Sequence, residues 1–233
     1  MPLRTRSQRA ADFTPSDKPT EPALEPPTAH FSLVRSFHLA DFLTLGNGVC
    51  GISSILCSMQ ALVTGDSAYL WTALAFIPLG GTLDVLDGRV ARWRQKSSLL
   101  GQELDSLADL VSFGVAPAAV GFALGLQTPL DMAALAYFVV CGIARLARFN
   151  ATVASLPKNA SGKVNYFEGT PIPSSLTIVG LLAWLLFTHR LGTGQIPGGL
   201  YHVSPGLALH PLVLVYVLNG TTMISRTLQI PKL

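Results

Sequence analysis

Charge is what this chain has least of. Asp, Glu, Lys and Arg make up 12% of its 233 residues against 49% hydrophobic ones, where a soluble domain carries roughly 25% charged residues. With a mean hydropathy of +0.45, a water-soluble globule would lack the polar groups to cover its surface. The surplus apolar surface needs lipid. A net charge of only +3 excludes the strongly basic footprint of a nucleic-acid partner. Cysteine is scarce too. Cys50, Cys57 and Cys141 lie in apolar stretches without CxxC spacing or a nearby histidine cluster, so they read as small buried thiols rather than a zinc site or disulfide framework. His38, His189, His202 and His210 are scattered near the ends of apolar runs and read as interface residues, and Trp71, Trp93 and Trp184 as interface or packing aromatics.

Residues 1–30 hold six prolines, Arg4, Arg6 and Arg9, and no apolar run. The segment 1–37 is therefore expected to be a disordered or amphipathic cytosolic tail, with no signal-peptide core. The remainder, 38–233, is expected to be one all-α transmembrane domain. A membrane-spanning helix needs about 20 mostly apolar residues, and six such stretches are expected at 39–63, 68–88, 104–125, 130–152, 173–189 and 207–225. Gly65-Asp66, Gly125 to Pro129 and the Gly/Pro-rich stretch 192–206 supply the turns. With the N-terminus in the cytosol, 15 of the 16 Lys and Arg residues fall on that side and Arg190 alone on the other. The positive-inside rule then places both termini in the cytosol.

Information concentrates where charge interrupts these spans. Asp84 and Asp87 are three residues apart, and Asp105 and Asp109 four apart, so each pair shares a helix face. The stretch between the pairs contains Gly88 and Gly101 and is long enough for an antiparallel return, which lets the pairs meet. Four carboxylates at a membrane interface repel one another and lose hydration, and such groups mark function by default. Two Mg²⁺ or Mn²⁺ ions suit an all-oxygen carboxylate set and could clamp a diphosphate. The competing reading is a rim of salt-bridged helix ends, with Arg89 and Arg92 as partners. Gly88 and Ala91 leave room for a flat ligand beside the acids, and Gly101 would let the third helix approach the second. Arg145 and Arg148 stand i, i+3 at the end of the fourth stretch, beside Phe149 and Asn150. Two guanidinium groups suit a carboxylate, as serine carries, or else lipid phosphates or a helix end. Glu168 could meet an ammonium or be a surface glutamate.

Asp84-Val-Leu-Asp87-Gly88-Arg-Val-Ala91-Arg92, eight residues, then Gly101-Gln-Glu-Leu-Asp105-Ser-Leu-Ala-Asp109 matches position by position the signature of the CDP-alcohol phosphatidyltransferase family. The chain also resembles, over 38–232, the serine-using members of fungal type. The stretches Asp41-Phe-Leu-Thr44-Leu-Gly-Asn47-Gly-Val-Cys-Gly51, Arg145-Leu-Ala-Arg148-Phe149-Asn150, Tyr166-Phe-Glu168-Gly169-Thr170-Pro171-Ile-Pro173 and Met223-Ile-Ser225-Arg226 carry that likeness. The resemblance implies an endoplasmic reticulum homodimer of six-helix protomers whose active site opens to the cytosolic leaflet. Asp84, Asp87, Asp105 and Asp109 would ligate two metals, and Asp109 would deprotonate the incoming hydroxyl. Gly88, Ala91, Arg92 and Ser98, with Asp41 and Thr44, would contact CDP-diacylglycerol. Arg145, Arg148, Phe149 and Asn150 would bind L-serine. Sister enzymes using inositol or glycerol 3-phosphate, a prenyl-diphosphate transferase and a cation transporter with an intramembrane acidic site are the alternatives. The Ala-Arg element and the short second acidic pair disfavour the prenyl chemistry, and acids at a helix end rather than mid-membrane disfavour transport.

Overall fold

The computed structural model describes residues 39–94, 99–155, 166–188, 196–204, 207–225 and 229–231. The expected tail, 1–37, lies outside them. Helix α1 runs Leu39–Thr64 and α2 Ser67–Arg94, joined by a tight turn with Gly65 at φ 70°. Next come α3, Leu99–Asp109, a π-helical turn, Leu110–Val115, and α4, Ala116–Ala123, in one continuous rod. Helix α5 spans Pro129–Ser155. A short strand β1, Tyr166–Glu168, and a 3-10 turn, Ile172–Ser175, lead into α6, Leu176–Phe187. A hairpin of β2, Tyr201–Ser204, and β3, Leu207–Leu209, precedes the 3-10 turn Pro211–Val213 and α7, Leu214–Ile224. Strand β4, Gln229–Pro231, pairs antiparallel with β1.

Four stretches are long and apolar enough to cross a bilayer: Asp41–Thr64, Ser67–Val90, Leu100–Ala123 and Pro129–Ala151. The two remaining apolar helices, Ile172–Phe187 and Pro211–Ile224, are shorter. At 1.5 Å per residue they reach about 24 and 21 Å, against a hydrocarbon core of about 30 Å. The expected span 207–225 also begins differently, because residues 207–209 form β3 and the helical turns start at Pro211. Proline fits a first helical turn, where its missing N–H is no loss, and the strand ahead of it pairs back onto Tyr201 and His202. In the second span the helix continues past the expected residue 88 to Arg94, through Gly88.

Helix α1 is the central packing surface, with α2 along one flank and the α3–α4 rod along the other. Glycines set these distances. A Cβ on Gly48 would stand 3.7 Å from Ala108 Cβ, and one on Gly51 would meet Ser112 Oγ at 2.6 Å and its Cα at 2.9 Å. On the opposite flank a Cβ on Gly80 would stand 2.7 Å from Asn47 Oδ1. Close approach to the third helix is thus arranged from α1 through Gly48 and Gly51.

Phe113, Val120, Leu126, Phe138, Ile172, Ile178, Leu182, Tyr216 and Met223 fill the core. Tyr216 packs edge-on to Phe138 with ring centroids 5.4 Å apart and donates its hydroxyl to the Pro117 carbonyl at 2.8 Å. At the bundle end remote from the acidic pairs, buried Asp131 accepts the His210 backbone N–H at 2.9 Å and lies 2.6 Å from His210 Nδ1. This joins α5 to the β2–β3 hairpin. All three cysteines are free, and Cys50 and Cys141 are buried.

The Gly51 contact makes a prediction. Gly51→Val forces α1 and the π-turn apart and should cost about 1–3 kcal/mol by overpacking, read as a lowered thermal midpoint in detergent. Gly180→Ala, inside helix α6 where an added Cβ meets nothing within 4 Å among the described residues, should not lower the midpoint and should raise it slightly through helix propensity.

Candidate active site

One end of the bundle gathers the start of α1, the last turns of α2, the start of α3 and the last turns of α5. Asp84, Asp105 and Asp109 meet there, each offering a carboxylate oxygen within 4.8 Å of the others. Asp84 and Asp105 are in carboxyl–carboxyl contact. Asp105 Oδ1 is buried without a hydrogen-bond partner among the described residues. A buried anionic oxygen left unpaired costs several kcal/mol at least, and a divalent cation would satisfy it. The donor set, all carboxylate oxygens, suits a hard cation such as Mg²⁺ or Mn²⁺. The residues present therefore fit a metal.

Asp87 belongs to the same end but not to that trio. It is buried, and its Oδ2 accepts the Thr44 hydroxyl at 2.6 Å. Buried Asp41 lies one turn before Thr44 on α1 and adds its charge to the Asp87 surroundings. Asn47, one turn beyond Thr44 and fully buried, donates Nδ2 to Asp109 Oδ1 at 3.2 Å. The Ser112 hydroxyl, reoriented by the π-turn, donates to the Asn47 carbonyl at 2.8 Å. Helix α1 thus holds both acidic pairs, Asp87 through Thr44 and Asp109 through Asn47. Sequence reading connected Thr44 to the nucleotide and gave Asn47 no role. Its signal was present all the same, as a strongly polar amide in an apolar span, two turns from Asp41.

Arg145 is half-buried, lies within electrostatic reach of Asp109, and stacks over the Phe149 ring at 5.6 Å to the centroid. Arg148 takes a different direction and donates Nη1 to the Ile224 carbonyl at 3.4 Å, at the end of α7. The two arginines expected to act together are therefore divided between the acidic site and a helix terminus. Asn150 bridges to α3, accepting Ser106 Oγ at 3.1 Å and donating Nδ2 to Glu103 Oε2 at 3.3 Å. A Cβ on Gly88 would meet nothing within 4 Å, so the helix face beside the acids is open as its sequence suggested. The side chains of Ala91, Arg92 and Ser98 lie outside the described residues. So does that of Glu168, whose strand is tied to β4.

Three helices present carboxylates at one end of an apolar bundle, an arrangement suited to metal-assisted chemistry on a phosphate group. The family model of CDP-alcohol phosphatidyltransferase matches residues 37–217, and the chain belongs to that family. Among curated proteins it is similar to the CDP-diacylglycerol–serine O-phosphatidyltransferase of Saccharomyces cerevisiae, 52% identical over 204 residues, covering 87% of this chain and 74% of the relative. Bacterial proteins of the same name match over less. That of Helicobacter pylori is 38% identical over 175 residues, 74% of this chain and 66% of its own. That of Bacillus subtilis is 38% identical over 134 residues, 56% and 67%.

Thr44→Val and Asn47→Leu each remove a buried donor to a carboxylate without touching the trio itself. Loss of a residue that orients a metal ligand typically weakens the metal by about 10–100-fold. Titrating purified protein with Mn²⁺, followed by electron paramagnetic resonance, should show a loss of that order in each variant. Unchanged binding would mean that the α1 contacts do not orient ligands.

Proposed function

We propose that the chain transfers the phosphatidyl group of CDP-diacylglycerol to L-serine, giving phosphatidylserine and CMP. The observation that carries this reading is the Asp84–Asp105–Asp109 convergence with Arg145 within electrostatic reach of Asp109. The names of the relatives support serine as the acceptor.

The serine hydroxyl attacks the phosphorus bearing the diacylglycerol, the diphosphate P–O bond breaks, and CMP departs with its electron pair. Asp109 is the base that takes the hydroxyl proton, and it must sit within hydrogen-bond reach of it. Asn47 donates to one Asp109 oxygen, which fixes the orientation of the carboxylate. Asp84, Asp87, Asp105 and Asp109 would hold two divalent cations, Mg²⁺ or Mn²⁺, whose chemistry is to neutralise the diphosphate and the departing phosphate. Gly88, Ala91, Arg92 and Ser98 would line the cytidine side, with Asp41 and Thr44 behind Asp87. Arg145 would bind the serine carboxylate, and Arg148, Phe149 and Asn150 would complete that wall.

The protein is further inferred to be a homodimer of six-span protomers in the endoplasmic reticulum, with both termini and the active site cytosolic. The family resemblance supports the dimer and the compartment, and the Lys and Arg distribution supports the orientation. The helices Ile172–Phe187 and Pro211–Ile224 would complete the six crossings where the bilayer thins to meet them.

Purified protein should release CMP from CDP-diacylglycerol with serine and a divalent cation, and not with inositol or glycerol 3-phosphate. Asp109→Asn should abolish that release while CDP-diacylglycerol still binds, and near-normal turnover would reject the base assignment. The sequons Asn150-Ala-Thr152 and Asn159-Ala-Ser161 fall on the cytosolic side. Endoglycosidase treatment should therefore leave electrophoretic mobility unchanged, and a shift would overturn the orientation.

A further inference from the structure

Glu103, Ser106 and Asp109 follow one another at three-residue intervals along α3. About 9 Å of helix axis separates the first from the last at 1.5 Å per residue. Helix α5 runs antiparallel to them. Asn150 is hydrogen-bonded to Glu103 and Ser106, and Arg145, five residues earlier, lies within electrostatic reach of Asp109. Helix α5 packs chiefly against α7 and, along the rod, against the π-turn and α4 rather than α3, so α5 and α3 are joined near the site mainly by side chains. This side of the site therefore carries the Arg145 guanidinium, within electrostatic reach of Asp109, then the Asn150 amide and the exposed Glu103 carboxylate. Glu103 and Arg145 form no ion pair among the described residues, so neither charge is cancelled by the other.

We propose that Glu103 is the acceptor-selecting residue, whose carboxylate binds the ammonium of an amino-acid alcohol. Arg145 holds that acceptor's carboxylate and Asp109 its hydroxyl. The inference rests on the serine reaction proposed above and assigns it a contact that no motif supplied. A zwitterion leaves water readily only where both its charges are matched. A carboxylate at this position also acts against the wrong acceptors. Inositol can give it no ion pair and glycerol 3-phosphate is repelled by it, which is discrimination by an unfavourable contact as well as a favourable one. Asn150 holds Glu103 in place through Nδ2 and is itself held by the Ser106 hydroxyl. Glu103 is therefore ordered before the acceptor arrives.

Glu103→Gln keeps an oxygen able to accept from Asn150 and removes only the charge, which separates recognition from helix bridging. In the full-length protein in mixed micelles, the serine KM should rise about tenfold or more, the scale of one charge-assisted hydrogen bond. The kcat at saturating serine and the KM for CDP-diacylglycerol should each stay within about twofold, as loss of a ground-state acceptor contact requires. Glu103→Asp, which retains the charge, should recover part of the serine KM. A serine KM near that of the parent protein, or an equal rise in the KM for CDP-diacylglycerol, overturns the proposal and leaves Glu103 as a bridge between helices. Unsubstituted protein that releases CMP with another acceptor but not with serine would instead overturn the serine reaction itself, whatever the substitution does.

Discussion

Like charges brought together at the end of a lipid-immersed bundle set the terms for everything around them. At separations near 5 Å and an effective dielectric constant of about 20, each ionised pair repels by about 3 kcal/mol. Three such pairs approach the whole stability of a typical domain, about 5–15 kcal/mol. No helix propensity or single hydrogen bond offsets that. The carboxylates of Asp84, Asp105 and Asp109 can be held together only by a framework that pins their backbones and by positive charge placed among them. Asp105 Oδ1, buried and unpaired, shows that hydrogen bonds alone do not complete the arrangement. Arg145, within electrostatic reach of Asp109, supplies one cation from the chain itself.

The framework is supplied chiefly by α1. Its glycines let α2 and the α3–α4 rod approach from two sides, while Thr44 and Asn47, one turn apart, reach one acid on each neighbour. Packing and site geometry are thus the same contacts seen at two depths. Toward the bundle centre α1 meets Ser112 through Gly51, and Gly80 of α2 meets Asn47 and Cys50 of α1. Toward its start it touches Asp87 and Asp109 through hydrogen bonds. A change that tilted α1 would alter both acidic pairs together.

Much of this was legible in the sequence. Period and hydropathy located the first four helices within a few residues, and the Asp spacings predicted which carboxylates would share a face. What escaped has physical reasons. Hydropathy measures length and polarity, so it merged β3 into the last helix. Spacing places residues on a face but not against a partner, and so Arg145 and Arg148, neighbours on paper, interact with Asp109 and with Ile224. The role of Asn47 depends on a contact 62 positions away, which no local pattern encodes. Glu103 sits inside the signature segment but is not one of its fixed positions, so its bridge to Asn150 needed coordinates to be seen.

The π-helical turn at Leu110–Val115 separates two jobs within one rod. Ala116 donates its N–H to the Val111 carbonyl five residues back, which puts an additional residue into that coil and rotates all that follows by about 100° relative to an unbroken α-helix. Pro117 comes just after, where its ring would crowd a regular helix. Because of this offset, the segment ahead can turn Asp105 and Asp109 toward Asp84 while the segment behind turns Ala116, Ala118 and Val120 inward. Sequence drift on the hydrophobic half can then repack without steering the reactive half off target.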